Sequence, residues 1–258
     1  MTEPPEDLVQ RNPWADLRRY TGARIALGRV GSSLPTEEVL RFGLAHAAAR
    51  DAVHAAVDWT AVEADLAAGG LESRRVHSLC PDRHAYLLRP DLGRRLDAAT
   101  AGALDGAGCD LAIVIADGLS ASAVQRHAAP LVLALLPLLD PGWRVAPVVL
   151  VGQGRVAVGD DIGARLRARL VAVLIGERPG LSSPDSLGAY LTWEPRPGRI
   201  DAERNCISNI RPEGLAIGAA ARRLAWLLRA ALQSGLTGIG LKDESALAAI
   251  EPTAGDPG

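Results

Sequence analysis

Lysine is almost missing from this chain. Lys242 is the single one among 28 lysines and arginines, and the net charge of the 258 residues is −2. No basic field exists of the kind that nucleic-acid binding requires. The preference for arginine reads as a compositional bias of an alanine- and arginine-rich sequence. Cysteine is scarce: Cys80, Cys109 and Cys206 are odd in number and far apart, with no Cys-x-x-Cys, which excludes a disulfide framework. His77, Cys80 and His84 have loose metal-ligand spacing, but no fourth ligand lies nearby and Pro81 interrupts them, so no metal site is expected. Long apolar runs are absent. The longest, near residues 131–139, is broken by Pro137 and ends at Asp140-Pro141, short of the roughly 18 residues of a membrane helix. The first seven residues are acidic and proline-rich, unlike a signal peptide. A cytoplasmic protein is expected. Gly-x-Ser-x-Gly, Walker and His-Glu-x-x-His motifs are all missing.

What is present is an alternation of apolar runs and helical stretches. Residues 1–11 are expected to be disordered. Residues 12–75 read as a helical N-terminal domain without strands. Its long helix starts at Thr36 as N-cap and runs to about Val57, with Val39, Phe42, His46, Val53 and Val57 at roughly helical spacing; a second covers about 60–68. His46, Arg50 and His54, at i, i+4 and i+8, read as a solvated face. From 76 to 243 the runs 111–116, 145–151 and 171–175 are continuously apolar, as buried parallel strands are. Residues 189–193 read as an edge strand, and the helical stretches are 121–139, 160–170 and 214–233. A flexible tail is expected over 244–258. The fold class is α/β: a helical N-terminal domain followed by a Rossmann-like, doubly wound parallel sheet.

The most informative segments are the glycine-bearing loops after these runs: Asp117-Gly118-Leu119-Ser120, then 152–156, then 176–180. In a parallel sheet all three emerge at one edge, where open α/β sheets bind ligands. Arg155, Glu177 and Arg178 would carry charge into that crevice, and the glycines would let backbone approach a ligand. One rival reading is a free-standing dinucleotide-binding protein. Gly152-Gln-Gly154-Arg-Val-Ala157 fits G-x-G-x-x-G/A, and Glu177 follows Gly154 by 23 residues. Two points weigh against it: the following helix would be capped by Asp160 or Asp161, beyond the motif, and both would put negative charge where a pyrophosphate sits. Cys206 has no histidine after it and reads as a packed or ligand-contacting thiol rather than a nucleophile.

Seven segments, in order, carry a resemblance: Asn12-Pro-Trp14; Thr21-Gly-Ala-Arg-Ile-Ala-Leu-Gly28; Arg41-Phe-Gly-Leu-Ala-His-Ala47 with Arg50-Asp-Ala-Val-His54; Arg89-Pro-Asp-Leu-Gly93; Ala116-Asp-Gly-Leu-Ser120; Gly176-Glu-Arg-Pro-Gly-Leu181; and Cys206-Ile-Ser-Asn-Ile210. Together they resemble the small (light) subunit of ethanolamine ammonia-lyase across about residues 12–240. The resemblance implies a lyase of ethanolamine catabolism, inactive as a lone chain, that forms acetaldehyde and ammonia with adenosylcobalamin. It implies a hetero-oligomer with a TIM-barrel large subunit that holds the substrate, the cobalamin lying at the interface. It makes residues 76–243 the cobalamin-binding domain and carries cofactor contacts onto Val156, Glu177 and Cys206, with no catalytic residue in this chain. It implies a cytoplasmic location, free or inside a bacterial microcompartment; encapsulated relatives carry a longer N-terminal segment than the dozen or so residues before Asn12 here. Asp82-Arg83-His84 lacks the glycine of Asp-x-His-x-x-Gly, so cobalt is expected to keep the cofactor's own dimethylbenzimidazole.

Overall fold

The computed structural model describes residues 8–104 and 106–248. Six strands form one sheet in the order β1-β3-β2-β4-β5-β6: β1 Ser73–His77, β2 Cys109–Ala116, β3 Val148–Gly152, β4 Ala168–Gly176, β5 Leu187–Trp193 and β6 Arg204–Ile210. The first four are parallel; β5 is antiparallel to β4, and β6 to β5. The sheet is therefore mixed and mostly parallel. The segment expected to be an edge strand lies one position in from the edge, because β6 covers it. β1 also begins inside the stretch assigned to the helical N-terminal domain.

The continuous apolar runs are explained by packing on both faces. In β4, Leu170, Ala172 and Leu174 face one core and Val171, Val173 and Ile175 the other. The first core is closed by α2 (Trp59–Ala68), α6 (Ala129–Leu135) and α8 (Ile217–Ser234), the second by α4 (Ala98–Ala101) and α7 (Val158–Arg165). The stretch expected as one helix over 121–139 is composite. α5 (Ala121–Ala123) passes through a π-turn, Val124–Ala128, into α6 and then a 3-10 turn.

α1 (Thr36–His54) departs from its expected packing. Val39 and Phe42 are about half exposed, and only Glu38 and Ala52 are buried along the helix. Its N-cap is Pro35, not Thr36, and no side chain caps it. α2 is capped by Asp58, whose carboxylate accepts from Thr60 and Ala61. α3 (Arg83–Leu88) is capped in the same way by Asp82, and a short α9 (Ser245–Ala248) lies within the stretch expected as a tail. Gln10 exchanges two backbone hydrogen bonds with Arg29, inside the segment expected to be disordered. Residues 1–7 and 249–258, the remainder of the expected disordered ends, lie outside the described residues.

Candidate functional site

Parallel pairing brings the strand ends together. His77 pairs with Gly152, and Ala116 with both Val151 and Ile175, so the loops after β2, β3 and β4 share one edge as the sequence predicts. What holds them is mostly Asp117. Its buried carboxylate accepts from the backbone N–H of Gly118 at 2.9 Å, Gln153 at 2.9 Å and Gly154 at 3.0 Å. Arg83 stands 3.8 Å away, while its Nη1 donates to the Gly118 carbonyl at 2.8 Å. Burial pushes the Asp117 carboxyl up; the three amides and Arg83 oppose it. The glycines serve loop-to-loop approach rather than contact with a ligand. A Cβ on Gly118, where φ is +60°, would lie 2.2 Å from the Gly176 carbonyl oxygen.

This arrangement bears on the dinucleotide fingerprint. The N-cap of α7 is Ala157 rather than Asp160 or Asp161, so the motif runs directly from strand to helix. Asp160 is clamped by Arg204 at 2.7 and 2.8 Å, and Asp161 accepts from Arg95 and the Leu96 N–H. The donors of the glycine turn are taken, whereas the Val156 and Ala157 N–H groups at the start of α7 have no acceptor among the described residues. Gln153 and Gly154 give their N–H groups to Asp117, Arg155 to the Gly93 carbonyl, and Val158, Gly159 and Asp160 to the carbonyls of Arg155, Val156 and Ala157. A pyrophosphate needs such donors free; here the protein's own carboxylate fills the nest.

Beside the loops lies an open cavity of about 390 Å3. Val156, Ile175 and Leu119 give it apolar wall, and Arg155, Glu177 and Arg178 polar rim. Two of the chain's three tyrosines, Tyr86 and Tyr190, complete it. Tyr86 is buried, donates to the Gly154 carbonyl at 3.2 Å and lies under the guanidinium groups of Arg155 (4.1 Å) and Arg83 (4.7 Å). Glu177 is half-buried. Its Oε2 accepts from the Ser186 hydroxyl and, at 3.1 Å, from the Asn209 N–H. Its Oε1 has no donor among the described residues. Cys206 is exposed on β6 and pairs with Tyr190 across the strands. Local crowding pushes the Cys206 thiol up, and the charge of Glu177 adds to this.

Of the three residues singled out from the sequence, Val156 and Glu177 therefore line one cavity, and Cys206 sits one strand beyond, joined to it through Tyr190. Tyr86, Tyr190 and Arg83 were not singled out: Arg83 and Tyr86 lie roughly 30 residues before the first of the loops, and Tyr190 lies on the strand after the last. Among the described residues no histidine lines the cavity, and no group of three or more histidine, cysteine or acidic side chains could hold a metal ion. His84 is exposed, and Asp82 is occupied in capping α3. The protonated thiol has no base beside it.

The family model for the ethanolamine ammonia-lyase light chain (EutC) matches residues 11–242. The chain is 56% identical over 253 residues to the ethanolamine ammonia-lyase small subunit of Pseudomonas aeruginosa (strain UCBPP-PA14), covering 95% of this chain and 92% of that protein. It is 55% identical over 254 residues to the small subunit from Azotobacter vinelandii (96% and 94% covered). The small subunit from Xanthomonas campestris pv. campestris is likewise 55% identical, over 255 residues (95% and 90% covered).

Proposed function

The chain belongs to the ethanolamine ammonia-lyase small-subunit family, and from that premise we propose that its sheet-edge cavity is one wall of an adenosylcobalamin site completed by the large subunit. It is a subunit of an ammonia-lyase, and a small subunit implies a large partner. The full reading is a TIM-barrel partner holding the substrate and this chain, a Rossmann-like doubly wound domain with helices on both sheet faces, closing the cofactor in. A cytoplasmic location belongs to the same reading; among the described residues no helix is long and apolar enough to cross a membrane.

The observation that carries it is the Glu177 carboxylate. One oxygen is fixed by Ser186 and Asn209, and the other is left without a donor at a cavity rim beside Val156 and Tyr190. A flat, largely apolar macrocycle fringed by amides suits such a wall: Val156 packs against apolar surface, and Glu177 Oε1 accepts from an amide N–H. Cys206, kept protonated, covers an adjoining edge. Adenosylcobalamin, when bound, supplies the radical chemistry that turns ethanolamine into acetaldehyde and ammonia. This chain's share is orientation and exclusion of water, and its histidines leave cobalt to the cofactor's own base. The dinucleotide alternative is disfavoured because the Asp117 carboxylate already occupies the amides of the glycine turn.

The test mixes the chain with its large subunit, adenosylcobalamin and ethanolamine and follows acetaldehyde. Activity that requires both subunits is expected. Full activity of the large subunit alone, or tight NAD binding by this chain with no cobalamin bound by the complex, would reverse the reading.

A further inference from the structure

α1 turns its larger apolar side chains outward. Its inward side carries small apolar residues, Ala45, Ala48, Ala49, Ala52 and Val53, and near its start Glu38, whose carboxylate pairs with Arg18 at 2.9 Å and Arg41 at 3.2 Å while Arg24 donates to its carbonyl at 2.9 Å. Its outward face, opposite Glu38 and Ala52 on the helical wheel, carries Leu40, Leu44 and Ala47 at i, i+4 and i+7. Leu40 is 68% exposed and Leu44 is 74% exposed. Most helical stability in proteins comes from packing an apolar face, and among the described residues nothing covers Leu40 and Leu44. The spacing i, i+4, i+7 is the one by which a helix seats in a groove.

We infer that α1, through Leu40, Leu44 and Ala47, is the seat of the large subunit, whose facing groove is apolar at its floor and acidic at its rim. The inference rests on the small-subunit reading above, which supplies the partner. Two observations point to this partner and this place. Residues 8–54 hold seven arginines against four carboxylates, in a chain whose net charge is −2, so the surface complements an acidic one. And α1 is fastened to the proposed cofactor wall: Arg83 donates from Nε to the Val53 carbonyl at 2.7 Å and from Nη1 to Gly118 in the β2 loop. A subunit gripping α1 is thereby registered against the cavity that it closes.

The experiment uses the full chain with a tagged large subunit. The double variant Leu40→Asp/Leu44→Asp alters side chains that touch solvent, so the isolated chain should keep its circular dichroism and Tm. Its affinity for the large subunit should fall at least a hundredfold. Independently of any variant, the α1 amides of the wild-type chain should gain hydrogen-exchange protection on assembly. Wild-type-like assembly of the double variant, or unchanged α1 exchange, would overturn the inference. So would a wild-type chain that self-associates, or binds vesicles of anionic phospholipid, through these leucines while assembly survives their loss. A wild-type chain that does not assemble at all would instead sink the small-subunit reading, and this surface with it.

Discussion

At the tip of β2 one carboxylate takes three backbone amides from two loops, and the cavity wall inherits its shape from that contact. Asp117→Ala leaves the N–H groups of Gly118, Gln153 and Gly154 without their acceptor. Each buried orphan costs about 1–3 kcal/mol, so Tm should fall by several degrees. Because the vacated space is a nest for a small anion, formate should restore part of the loss, read by thermal unfolding with and without the salt; Asp117→Asn, which keeps one acceptor, should fall between. At Glu177 the informative change is Glu177→Gln, which retains an oxygen for Ser186 and Asn209 but can turn the free acceptor into a donor. Cofactor affinity of the complex should drop about 10- to 100-fold, from the same 1–3 kcal/mol, with assembly intact; unchanged affinity would show that the rim faces elsewhere. Asp110 supplies a pH dependence. The Arg144 N–H, with Arg169 and Arg144 beyond it, holds its carboxyl below the ordinary value against some desolvation. Its stabilisation is therefore present above about pH 4 and lost as pH falls through the depressed value. The Tm difference between wild type and Asp110→Asn should shrink in that acid range. The loops that bear Val156 and Glu177 were legible because an apolar run followed by glycine marks a strand end; the two residues themselves, as cofactor contacts, come from the family resemblance. The tyrosines opposite them were not, since nothing local in sequence ties residues 86 and 190 to that edge.

Among the elements, β2, β3 and β4 announce themselves through unbroken apolar runs, whereas β1 and β6 do not. β1 reads Ser-Arg-Arg-Val-His, with Val76 its one buried side chain; it is a strand because β3 offers it hydrogen bonds. β6 buries Arg204, Ile207 and Ile210, a spacing that breaks the period of two, and Asn209 adopts a φ of +57°. Its burial of Arg204 makes sense only in three dimensions. The guanidinium clamps Asp160 of α7 and reaches Thr192 of β5 at 2.8 Å, fixing the strand that bears Cys206 to the helix that follows Val156. Asp160→Ala should cost about 3–5 kcal/mol by stranding a buried charge. The double change Asp160→Leu/Arg204→Met should cost distinctly less, measured by urea denaturation as a double-mutant cycle. Equal costs would mean that the clamp acts through packing rather than charge. α1 misleads for the opposite reason: its helical spacing is real, but the surface it serves is outside the chain.

At the scale of the molecule, both sheet faces are covered while one helix presents its leucines to water. A chain built this way is stable without being complete. Mass action then couples its stability to its partner: a ligand of the folded state at a hundred times its Kd adds about 2.7 kcal/mol. The Tm of this chain should climb with the concentration of added large subunit, and adenosylcobalamin should raise it further only when both proteins are present. A cofactor-induced shift of equal size for the lone chain would show that its cavity binds the cofactor unaided.

The strand order has a consequence for biosynthesis. β1 can find no neighbour until β3 has been made about 70 residues later, and the face under β5 and β6 stays open until α8 arrives. At ~5–20 residues per second of translation, this edge strand waits several seconds in a crowded cell. The sparse apolar content of β1, which hides it from sequence patterning, also makes it a poor template for stray strands during that wait.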